Sequence, residues 1–200
     1  MLVLGSLALG MTLTSALLLT LEPGRVAPMT GVALTSIDDR VEPEETLFQV
    51  AQPRQWKAIY IHDSLTLSGS AAELSQLDRQ MGRAGLGCHL VIDNGDGEAD
   101  GLIEVGFRWQ RQLAGDYLEG GGASATWFNE NAIGVCLVGD ADRRPFTKAQ
   151  LRELSWLIRQ LQARFHIPAD RVYVRVGTSP DGLSANFPHA AFEQQLLPSP

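Results

Sequence analysis

The sequence predicts an α/β domain, a central mixed β-sheet flanked by helices, preceded by an N-terminal hydrophobic helix. Three observations predict it. From Trp56 onward, short β-branched and aromatic runs alternate with helical periodicity, the order of a sheet covered by helices. Ala132 to Val138 is an almost continuous apolar run, as expected of a central strand. Thr147 opens a helix whose apolar stripe, Leu151, Leu154, Ile158, Leu161 and Phe165, faces one side.

The chain of 200 residues has room for one domain with a hydrophobic core, plus a leader. Residues 1–21 carry no charged side chain. At ~1.5 Å per helical residue such a run spans about 30 Å of hydrocarbon, which suits a membrane anchor or a signal peptide. It lacks a basic n-region and an A-x-A cleavage site, which favours a retained anchor with the domain outside the cytoplasm. Residues 22–50 read as a tether, with Pro23, Pro28 and Pro43 and the acidic runs Asp38-Asp39 and Glu42 to Glu45. Within it, Leu47-Phe48-Gln49-Val50 can pack as a first edge strand. The domain proper is expected over residues 51–200.

Within that domain Lys57 to His62 reads as a strand. Ser70 to Arg83 reads as a helix, with Leu74, Leu77 and Met81 along one face and Gly85 beyond its end. Cys88 to Ile92 is a second strand, closed by the turn Asp93-Asn94-Gly95-Asp96-Gly97. Gly101 to Phe107 is a hairpin-related third, and the loop with Gly120-Gly121-Gly122 leads to Ala132. Thr147 and Gln150 form a capping box for the long helix, which Pro168 stops. Arg171 to Val176 is the last strand, and Phe187 to Leu197 a loop with a short helix.

The formal net charge of −7 argues against a nucleic-acid partner, because no basic patch is present to neutralise phosphates. Cys88 and Cys136 are too few for a disulfide framework. They read first as small buried residues on strands, with a single bridge or free thiols both open.

Several words in this order resemble the peptidoglycan amidase family, shared by phage amidase-type lysozymes and peptidoglycan recognition proteins. Trp56 to Ser64 resembles the strand that delivers the family's first metal-binding histidine. Gly87 to Asp93 matches G-Y-H-F-V-I-D, and Arg108-Trp109 and Gly115 follow in place. Asn131 to Asp140 is close to N-x-I-G-I-C-L-V-G-D, and Phe146 to Leu151 opens the long helix as T-x-x-Q-L does. The resemblance runs from about Pro53 to Pro188. It implies the family fold and N-acetylmuramoyl-L-alanine amidase chemistry, in which zinc on three protein groups activates water and polarises the scissile carbonyl. The ligands the resemblance implies are two histidines plus a cysteine or aspartate, assisted by a tyrosine or glutamate and by a lysine or histidine.

His62 takes the first ligand position of that pattern, with Asp63 opening the loop beyond it. The second falls on Arg175, whose guanidinium has no lone pair for zinc and repels it. No cysteine precedes Phe187-Pro188, and Asp181 is the one carboxylate near the third position. Cys88 stands where the assisting tyrosine belongs, and Gly115-Asp116-Tyr117 replaces the family's G-A-H. His89 matches a family histidine that binds no metal, and His166 and His189 read as surface residues. A Cys88–His62 nucleophile pair is chemically conceivable but lacks an orienting third group.

The expectation is therefore an amidase-fold domain without catalytic zinc and with no cofactor, whose groove holds a peptidoglycan fragment or another cell-envelope component. The groove would include His62, Asp63, Cys88, Arg108, Trp109, Arg175 and Asp181, with Arg175 meeting a carboxylate and Trp109, Trp127 and Phe128 on the glycan side. The alternatives are an active amidase with an unusual zinc site and a protein-docking module on the same fold.

Overall fold

Ala58–Asp63 (β1) and Ala132–Leu137 (β4) are the longest strands, and β4 is buried along its whole length. They lie parallel and adjacent. Leu90–Ile92 (β2) pairs parallel with β4, and Ile103–Val105 (β3) pairs antiparallel with β2. Val172–Arg175 (β5) pairs parallel with β1 at the other edge, giving a mixed five-stranded sheet in the order β3-β2-β4-β1-β5. The structure, a computed structural model, describes residues 47–50, 52–179, 182 and 184–198. The hydrophobic run 1–21 and most of the acidic tether lie outside the described residues. Among the described residues no helix is long and apolar enough to cross a membrane.

Strand alternation divides the sheet into two apolar faces. On one, Ile59, Ile61, Ile92, Ile133 and Leu137 pack against Leu154, Leu157, Ile158 and Leu161 of the long helix Lys148–Phe165. Complete burial of each such side chain stabilises the fold by about 1.5–3 kcal/mol. The expected capping box is present, with Thr147 accepting from the Gln150 backbone and Gln150 accepting from that of Thr147. Gln150 also fastens this helix to the sheet, its side-chain amide donating to the carbonyls of Ile92 and Val138 at 3.1 and 2.8 Å.

Helices also cover the opposite face. Ala71–Gln80 (α1), capped by Ser70, sends Leu74 onto Val91, Cys136 and Val138. Phe107–Gln110 (α2) follows β3, so Phe107, expected in the strand, starts a helix instead. Ala123–Asn131 (α3) lies where only a loop was expected, and its Phe128 packs with Tyr60, Ala132 and Tyr173. The long helix is thus α4, and His189–Glu193 (α5) closes the chain with Phe192 buried.

Three further expectations are corrected. Leu47 does reach the core, but Leu47 and Phe48 are helical rather than an edge strand. On the expected apolar face of α1 only Leu74 is buried, whereas Leu77 is 42% and Met81 62% exposed. His189 is not a surface residue. It is half-buried, its ring 4.8 Å from that of Phe187 and its Nε2 shielded without a hydrogen-bond partner.

Candidate functional site

Parallel strand register builds the site. His62 on β1 aligns with Cys136 on β4 and with Arg175 on β5. Residues in one row of a parallel sheet point to the same face about 4.8 Å apart. His62 therefore has a thiol as its neighbour on one side and a guanidinium on the other.

Cys88 joins the thiol side. The resemblance to a regular strand puts consecutive residues on opposite faces, but β2 begins only at Leu90, and Cys88-His89 form a bend. The bend turns Cys88 onto the face of Val91 and Cys136. Gly87 makes room for it, since a Cβ there would lie 2.5 Å from the Asp116 carbonyl oxygen. Ligand atoms of His62, Cys88 and Cys136 all lie within 4.8 Å of one another. Both cysteines are free and buried.

The three groups polarise each other. Cys88 is lowered to about 6, first by the Cys136 thiol beside it, which with the His62 imidazole overcomes the opposing effect of burial. Cys136, facing that sulfur and buried, is pushed well above the usual thiol range. Burial alone would depress His62, but the Cys88 sulfur and then Asp63 hold it above its ordinary value. Cys88 is thus the more acidic thiol of the pair.

The imidazole of His62 is fixed from behind. Its Nδ1 lies 3.1 Å from the Asp63 carbonyl oxygen, which only accepts, so Nδ1 donates. Its Nε2 is shielded from solvent and has no hydrogen-bond partner among the described residues. Tyr117 stacks on the ring with centroids 5.5 Å apart. That tyrosine is itself pinned, its hydroxyl donating to the Phe128 carbonyl at 2.9 Å and its edge lying against Gly115 and Gly134.

The cluster opens onto a cleft of about 600 Å³ between α1, the Ser64–Thr66 turn and Tyr117. Exposed Leu65, Leu77 and Met81 form an apolar rim. On the other rim Arg83 is neutralised by Asp78 and Glu119, each at 2.5 Å.

The expected groove residues separate into several groups. His62, Asp63 and Cys88 line the cleft. Asp63 is also a brace, accepting from Ala141 N at 2.9 Å and from Gly177 N at 3.1 Å. Arg175 is exposed beside His62, makes no ion pair among the described residues, and donates to the Val174 carbonyl at 3.1 Å. Arg108 and Trp109 are structural. Arg108 bridges the carbonyls of Leu86 and Ala114, and Trp109 is 1% exposed, donating its indole N–H to Leu47 O at 2.7 Å. Trp127 and Phe128 pack on each other beside Tyr60 rather than lining the cleft. Asp181 lies outside the described residues. Cys136 is the member that sequence reasoning left as core, and Tyr117 the one it treated only as a lost histidine.

The residues present do not fit the zinc set that the sequence resemblance implies. Arg175, which the resemblance puts at the second ligand position, is the β5 neighbour of His62, and a guanidinium can neither coordinate nor tolerate a cation at contact.

The family model for N-acetylmuramoyl-L-alanine amidase matches residues 52–191. The endolysin of Escherichia phage T7 is 30% identical over 125 residues, covering 58% of this chain and 74% of the phage protein. The endolysin of Enterobacteria phage T3 is 32% identical over 117 residues, 54% of this chain and 68% of its own. Among solved structures, the N-acetylmuramoyl-L-alanine amidase LysC from Clostridium intestinale URNW superposes with a TM-score of 0.55 at 18% identity, covering 70% of this chain and 86% of that one. That likeness extends to the fold.

Proposed function

The chain belongs to the N-acetylmuramoyl-L-alanine amidase family, and on that premise we propose that its cleft binds a peptidoglycan stem peptide without hydrolysing it through the family's zinc set. The observation that carries this reading is Arg175 in the row of His62. An arginine there removes a metal ligand and, exposed beside His62 though not among the residues that line the cleft, supplies a carboxylate receptor. Its planar fork pairs with carboxylates in two parallel hydrogen bonds, and stem peptides are rich in carboxylates. The apolar rim of Leu65, Leu77 and Met81 suits the methyl groups of such a peptide. A cell-wall ligand is in keeping with a domain outside the cytoplasm.

A second reading, an active amidase with an unusual metal site, is favoured by one observation, the grouping of His62, Cys88 and Cys136. One pair of measurements separates the two. The full chain should co-sediment with purified peptidoglycan, and Arg175→Ala should weaken that binding about 10-fold, the worth of one charge-assisted contact. Muropeptides should remain intact. Zinc-dependent release of stem peptide from glycan would overturn the binding-only reading, and equal co-sedimentation of wild type and Arg175→Ala would remove the assigned role of Arg175.

A further inference from the structure

We propose that His62, Cys88 and Cys136 form a zinc site of their own, with three protein ligands and a fourth position open to the cleft. It shares one residue with the ligand set implied by the family resemblance and takes the other two from the β2 bend and from β4. The inference does not depend on peptide binding.

Four observations carry it. Nδ1 of His62 donates to the Asp63 carbonyl, so in the neutral ring the lone pair is on Nε2. A hydrogen bond of this kind, from the other ring nitrogen, sets the tautomer of metal-bound histidines. Nε2 is buried with no hydrogen-bond partner among the described residues, a condition that is costly unless something else completes it. The donor atoms lie within 4.8 Å of one another. Tetrahedral zinc with bonds of about 2.1 Å to nitrogen and 2.3 Å to sulfur needs donors about 3.6–3.8 Å apart, so side-chain rotations of roughly 1 Å close the site. Finally, the cluster lies across His62 from Arg175, with the histidine between cation and guanidinium.

Charge and donor type agree with zinc. Two thiolates and a neutral imidazole leave a Zn²⁺ site with no net charge, the form least costly to bury. One nitrogen and two sulfurs suit zinc or Cu(I) and disfavour magnesium, calcium and manganese. Binding is charge-balanced: zinc enters as a dication, and two protons leave the cluster for solvent. Three protein ligands leave the fourth position of tetrahedral zinc open to the cleft.

The test is metal titration of the full chain under reducing conditions. We expect one equivalent of zinc, and with Co²⁺ a near-ultraviolet sulfur-to-cobalt charge-transfer band together with visible bands of tetrahedral intensity. Cys88→Ser and Cys136→Ser should each weaken zinc binding about 100-fold or more and cut the charge-transfer band, whereas Arg175→Ala should change neither. Cys136→Val, which keeps the strand's apolar packing, serves if the serine variant fails to fold. Substoichiometric uptake, uptake of Cu(I) without zinc, cobalt binding without a thiolate band, or full affinity in the Cys136 variants would each overturn the assignment. Because no peptidoglycan is present, failure here leaves the binding reading untouched, and failure of co-sedimentation leaves this one untouched.

Discussion

One histidine sits in this sheet and another just before β2, and their pockets differ. His89 is wholly buried and fully used: its Nδ1 accepts from Gly134 N at 2.8 Å, and its Nε2 donates to the Leu113 carbonyl at 2.9 Å. Trp56 and Trp109 close around it edge-on. His62, one strand away from β4 on the other side, has one nitrogen satisfied and the other unpartnered, in a cluster with two thiols. The first pocket spends both ring nitrogens on holding strands and loops together. The second keeps a lone pair free at the cost of an orphaned atom, which is how a ligand-binding histidine differs physically from a structural one.

The largest expected effect separates the two directly. His89→Ala should cost about 3–5 kcal/mol in urea unfolding, because it opens a cavity and strands two buried partners. His62→Ala, measured metal-free, should stay within about 1 kcal/mol, since it also removes an unsatisfied atom. Equal losses would erase the distinction.

Acid should sharpen it next. Burial lowers His89 to about 4, so its folded pKa lies below the unfolded value of 6.5. The unfolded chain then binds more protons between these values, and stability falls as pH drops from about 6.5 toward 4. Denaturant midpoints across that window should fall in the wild type, and His89→Gln should remove one proton's share of the slope, about 1.4 kcal/mol per pH unit. An unchanged slope would mean that His89 already titrates as if solvated.

Asp93 supplies the smallest test and a useful contrast. Its two carboxylate oxygens are also buried without partners, yet it does not line the cleft. Burial first, and then the charge of Glu104, raise it to about 8. Here the folded pKa lies above the unfolded one, so stability falls as pH rises between about 4 and 8. Asp93→Asn should raise stability at pH 8 by roughly 1 kcal/mol and change little at pH 4, read by thermal melting at the two pH values. Two orphaned groups thus have different remedies: a carboxyl keeps its proton, and an imidazole facing thiols awaits an electrophile.

Much of the fold was legible because its signals are local. Thr147 and Gln150 cap α4 within one helical turn, and β4 is one unbroken apolar run. Helix α3 was not legible, since Trp127 and Phe128 are adjacent and half-buried and none of its residues is fully buried, so no apolar stripe repeats along it. His62 was found because it ends a strand in a familiar word. Cys136 was missed because a thiol inside an apolar strand reads the same whether it packs or coordinates. Cys88 was expected in the groove, but the bend at Cys88-His89 that turns it toward Cys136 was not legible. Only Gly87 hinted at that bend, and its reason, the close approach of Asp116, is a tertiary fact. Arg108 and Trp109 were mistaken for groove residues because a family word marks a position without saying which way the side chain points.

Tyr117 has one further consequence. It stacks on His62 and meets His89 edge-on at 6.3 Å, so a single ring divides the two pockets. No other side chain can move in behind it, because Gly115 and Gly134 face it with only backbone; a Cβ at either would come within 2.5 Å of the ring. The tyrosine is a bulkhead between a wet compartment and a dry one. Cut back to alanine, it would flood the His89 chamber from the cleft, and the ring in that chamber would recover the basicity it has in water.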